Sequence, residues 1–133
     1  MKNTFKTLVI SAFAIQVIIW LSHYYWGAIY TNEEMELLAW HGFGAKFDIY
    51  GPTLYMLLAG YFVVTIGLIT FMPWAKSAFL LITIASIIIT SLMGITITET
   101  VGNTLGSILS LIDGAILTML YFTSVSNEFT KSA

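Results

Sequence analysis

The sequence predicts an all-α integral membrane bundle, and three observations support that fold class. Hydrophobic residues fill 58% of the 133 positions and charged ones only 9%, against about 25% charged in soluble domains. Mean hydropathy is correspondingly high, at +0.88. Four apolar stretches, at about 7–27, 52–72, 77–98 and 104–122, approach the roughly 20 residues that cross a bilayer core. The breaks between them are too short to enclose a core of their own. The expected architecture is four transmembrane helices, up-down-up-down, in a single domain over residues 1–133. A short interfacial helix is expected within 31–51, between the first two spans.

The first stretch follows Lys2 and Lys6, a pattern shared with secretory signals. Its length, and the early position of the only A-x-A-like triplet, Ala12-Phe13-Ala14, favour an uncleaved span. It runs into Trp20, Tyr24, Tyr25, Trp26 and Tyr30, rings of the amphipathic kind that collect at a membrane–water boundary. Thr31-Asn32-Glu33-Glu34 has capping-box form, and Glu33, Glu34 and Glu36 suit the positive end of a helix dipole. A short helix is expected from about Asn32 to His41, stopped by Gly42 and Gly44. Met35, Leu38 and Trp40 would dip into the interface or cover the bundle mouth.

Pro52 suits the start of the second span, where its missing N–H costs nothing. Thr53, Gly60 and Gly67 recur every seven residues, a seam of small residues for close helix approach. Met72-Pro73-Trp74-Ala75-Lys76 reads as a tight turn with an interfacial Trp and a positive charge. The third span then carries Thr83, Ser86, Thr90 and Gly94 on one stripe. A turn at 99–103 leads to the fourth span, and the polar tail from Ser124 to Ala133 is expected to fray. Lys2, Lys6, Lys76 and Lys131 fall on the side of both termini, opposite Lys46. By the positive-inside bias both termini are cytoplasmic, in a membrane of the bacterial inner type.

Composition also excludes function classes. The net charge of −2 leaves no basic patch, so no nucleic-acid partner is expected. The absence of arginine removes the bidentate clamp for phosphates, and the absence of cysteine removes thiolate chemistry. His23 and His41 are the only histidines, and no H-E-x-x-H or similar spacing occurs, so neither a metal site nor a cofactor is expected. The hydroxyl residues have no adjacent base, and the bilayer interior offers a single carboxylate. An enzyme is not expected.

That single carboxylate, Asp113, is the sharpest feature. In the middle of the last span it would cost roughly 2.5–3.5 kcal/mol if exposed to lipid, so it should face protein or water. At about 100° per residue, Asn103, Gly106, Ser107, Ser110, Gly114, Thr118 and Tyr121 share an arc with it. Leu105, Leu109, Ile112, Ile116 and Leu120 form the opposite arc, so the small, polar arc is expected to face inward. In the first span Ala12, Gln16, Trp20, His23 and Gly27 line one face, and in antiparallel packing Gln16 lies near the depth of Asp113. Asp113, Ser110, Gln16 and His23 are therefore the candidate proton or cation site. The alternative for Asp113 is a hydrogen-bonded packing residue, and for His23 an interfacial imidazole.

Gly60, Gly67, Gly94, Gly102, Gly106 and Gly114 are the candidate helix-packing positions. They exceed what one small bundle needs, which points to a homo-oligomer or a larger membrane partner within the lipid bilayer. The leading functional expectation is a non-catalytic accessory or assembly subunit. The alternatives are a small oligomeric transporter or channel using Asp113 and, more remotely, an immunity-type membrane protein.

Overall fold

The computed structural model describes residues 1–40, 43, 52–92, 94 and 97–130; for His23 and residues 52–54 it describes the backbone alone. The described residues are all-helical. The order is α1 (Lys2–Ile29), α2 (Asn32–Leu38), α3 (Pro52–Ile69), α4 (Pro73–Ser91), α5 (Thr100–Phe122) and a terminal 3-10 helix (Ser124–Phe129). Lys2–Ser22, Pro73–Ser91 and Thr100–Phe122 are long and apolar enough to cross a membrane. Tyr55–Ile69 is a shorter apolar helix.

α1 packs most closely on α5, and α3 lies between α4 and α1. α4 and α5 are the loosest of the neighbouring long helices. α2 starts on a complete capping box: Thr31 accepts from the Glu34 N–H, and the Glu34 carboxylate accepts from the Thr31 N–H at 2.8 Å. These bonds hold the Glu34 carboxyl below its ordinary pKa. The helix ends at Leu38, short of the expected His41, which lies outside the described residues together with Gly42 and Gly44. Leu38 is buried while Trp40 remains exposed.

Two expected boundaries move. Pro73 opens α4 as a helix-start proline, so the tight turn falls at 70–72 rather than 72–76. Phe71 takes φ 57° in that turn, a left-handed value uncommon outside glycine. At its other end α4 stops at Ser91 instead of Thr98. Gly94, beyond the end of that helix, has φ 72°, a left-handed value that glycine adopts freely.

The tail differs most from expectation. Thr123 caps the 3-10 helix by accepting from the Val125 N–H, and Val125 and Phe129 are 1% and 2% exposed. Phe129 meets Phe5 and Phe71 with ring centroids 6.0 and 5.3 Å apart, and Phe5 and Phe71 lie 5.8 Å apart. The chain start, the α3–α4 turn and the tail therefore close one end of the bundle together. A polar-looking segment stays ordered there because two apolar side chains, four residues apart, reach the same cluster. Lys2 pairs with Glu128 at 2.7 Å, Lys6 lies over the Phe71 ring, and Lys76 donates to Ser126 at 2.8 Å. All three described lysines thus gather at this end.

The inward face of α5 is also reversed. Ile116 and Leu120 are buried in the core with Phe5, Val9 and Ala12 of α1, and Leu109 and Ile112 pack against it. Asn103, Ser107, Ser110, Gly114 and Thr118 face outward. Leucine and isoleucine fill interhelical space that glycine and serine would leave empty. In a bilayer the lipid gives apolar residues no reason to prefer either face. Gly106 and Gly114 have no atom within 4 Å of where a Cβ would stand, and neither does Gly27. Gly67 contrasts with them: a Cβ there would come within 2.8 Å of the Ala75 Cβ, so glycine permits the tight α3–α4 approach. Gly60 faces Ile82 at an ordinary distance, and Gly102 faces the Glu99 side chain of its own helix start.

Candidate functional site

Asp113 lies where the core face of α5 meets its outward polar arc, three residues before Ile116 and seven before Leu120. Its side chain is partly buried and accepts a hydrogen bond from the Tyr61 hydroxyl at 3.1 Å. Tyr61 belongs to α3, which stands diagonally across the bundle from α5, so the bond spans the interior. The Tyr61 ring lies 6.4 Å from that of buried Phe79 on α4.

Beside this pair lies a cavity of about 300 Å³. Its polar walls are Asp113 and Ser110 from α5, Tyr61 from α3, Gln16 from α1, and Thr83 and Ser86 from α4. Among the described residues, Leu57, Leu58, Ile82 and Leu109 form its apolar walls. Ser86 and Ser110 are exposed, on the two helices that pack most loosely, so the cavity rim lies between α4 and α5.

The hydroxyl groups are already committed as donors. Thr83 donates to the Phe79 carbonyl at 2.9 Å, Ser86 to the Thr83 carbonyl at 2.8 Å and Ser110 to the Gly106 carbonyl at 3.0 Å. Such back-bonds satisfy a hydroxyl proton inside a helix and leave the oxygen's lone pairs available.

The structure thus brings Asp113, Ser110 and Gln16 to one cavity. The side chain of His23 lies outside the described residues, as does His41. Tyr61, Thr83 and Ser86 join the cavity without having been among the sequence candidates. A signal for Tyr61 exists in the chain: a phenol midway along an apolar helix needs a hydrogen-bond partner.

A second, smaller cavity of about 220 Å³ lies at the opposite end from the tail, between Tyr30, Glu34 and Leu38 on one side and Ile97, Glu99 and Thr100 on the other. Glu99 there is partly buried, 3.5 Å from the Ser22 hydroxyl. Among the described residues no group of three His, Asp or Glu side chains is placed to hold a metal ion. Comparison of the chain with family models, with curated proteins and with solved structures found no match. The chain is a small helical protein with three helices fit to cross a membrane, and its site stands on geometry alone.

Proposed function

We propose that this chain is a four-span, up-down-up-down membrane subunit, both termini cytoplasmic, that assembles in the bilayer with copies of itself or with a larger partner. One observation carries this reading: the small, polar arc of α5 is turned away from the chain's own core. Gly106, Ser110 and Gly114 recur every fourth residue on that arc, with open space at both glycines. Small residues at this spacing let a second helix approach closely, which is how helices gain contact energy where lipid supplies no hydrophobic drive. The four-against-one distribution of lysines supports the orientation. Gly106→Leu and Gly114→Leu place bulk on the arc without touching the chain's interior. Each is expected to weaken assembly in nanodiscs about tenfold, equivalent to 1.4 kcal/mol. Ala59→Leu, on an exposed face of α3, is the control. Equal behaviour of all three variants in native mass spectrometry would remove the reading.

A second reading rests on the cavity at Asp113: proton- or cation-linked transport through the assembled bundle. Carboxylates within membrane spans mark ion and proton pathways. Asp113→Asn should then abolish flux in liposomes while leaving assembly intact, whereas loss of both together favours a structural carboxylate.

A further inference from the structure

We infer that the cavity beside Asp113 is a binding site for a small organic ammonium ion. The inference takes its site from the transport reading, but it requires binding alone.

Size argues first. At about 300 Å³ the space equals roughly ten waters of the liquid, and it falls at the small end of organic-ligand pockets. Bare divalent ions need several oxygens converging at about 2.0–2.6 Å, and the described residues supply a single carboxylate here.

Hydrogen-bond polarity argues next. Tyr61 spends its proton on one Asp113 oxygen, and Thr83, Ser86 and Ser110 spend theirs on backbone carbonyls. The second Asp113 oxygen and the hydroxyl lone pairs are left as acceptors, and the Gln16 amide alone among these polar groups keeps N–H donors. A ligand matched to such walls donates N–H bonds and accepts few. Charge completes the match, because Asp113 is the one charged side chain among the described residues of the lining. A single positive charge balances the site, and charge-assisted bonds are roughly twice as strong as neutral ones. Leu57, Leu58, Ile82 and Leu109 offer an apolar body the remaining contact. Ser86 and Ser110 add hydroxyl oxygens at the cavity rim between α4 and α5.

The test uses the full-length protein in nanodiscs at neutral pH, titrated calorimetrically with benzylammonium, with neutral benzyl alcohol and with sodium chloride. Saturable benzylammonium binding is expected, at least tenfold tighter than the alcohol and undisturbed by equimolar sodium. Asp113→Asn should weaken it at least tenfold, and Thr83→Val by a few-fold, with helical circular dichroism unchanged. Equal affinity for ammonium and alcohol would overturn the inference, as would displacement by equimolar sodium or no saturation in the low millimolar range. The wild-type comparison decides the matter even where a variant fails to fold. Binding without flux in liposomes supports this site while overturning the transport reading.

Discussion

The two halves of the bundle solve opposite packing problems. At the end where the chain begins and finishes, Phe5, Phe71 and Phe129 close on one another. They are backed by Val125, Leu68 and Ala75, all buried to within 1%. Midway along, where Asp113 and Tyr61 meet, the helices enclose a cavity and α4 stands loosely against α5. A bundle pinned at one end by rings can leave its middle open, because the helices need no further contact there to stay aligned. Tight packing and open space thereby lie at different heights in the bundle.

The largest expected effect tests the closed end. Phe129→Ala should lower stability by about 3 kcal/mol, the low end for truncating a buried phenylalanine, measured by reversible unfolding in bicelles. A loss under about 0.5 kcal/mol, within the range of exposed substitutions, would mean that the tail merely rests on the bundle. A smaller effect tests the open middle. Tyr61→Phe removes the bond to Asp113 and should cost about 0.6 kcal/mol, the average for polar contacts between membrane helices. If it matched Phe129→Ala, the contrast between the two depths would vanish.

The smallest effect sharpens the contrast at the far end. The Thr31 backbone and hydroxyl lower the Glu34 pKa in the folded chain. The capping contribution is therefore complete above the ordinary glutamate value and is lost as pH falls through the lowered one. Amide exchange across Met35–Leu38, corrected for intrinsic rates, should accelerate over that acid window. Glu34→Gln should flatten the dependence, and an unchanged profile in that variant would show that the box does not govern α2.

Much of the local structure was legible in the residues. The capping box at Thr31 and Glu34 announced α2, and the apolar stretches announced the long helices, because both signals depend only on neighbours in sequence. Other features were misread for a shared reason. Ser124 to Phe129 looked frayed because its polarity is plain, whereas the value of Val125 and Phe129 depends on Phe5 and Phe71, more than fifty residues away. The inward face of α5 was misassigned because a stripe of glycine and serine fits a neighbour in another chain as well as one in the same chain. Tyr61 was passed over because its partner lies on a helix that α3 does not flank.

The sequence by itself determined that the chain is helical, that it carries stretches apolar and long enough to cross a membrane, and that Asp113 falls within one of them, since hydropathy, length and charge act locally. Tertiary structure alone decided which side of α5 turns inward, what donates to Asp113 and where a cavity remains. In hydrocarbon, leucine is as comfortable against lipid as against protein. Hydrophobicity therefore loses its power to say which face is inside, and the shapes of meeting side chains settle the question instead.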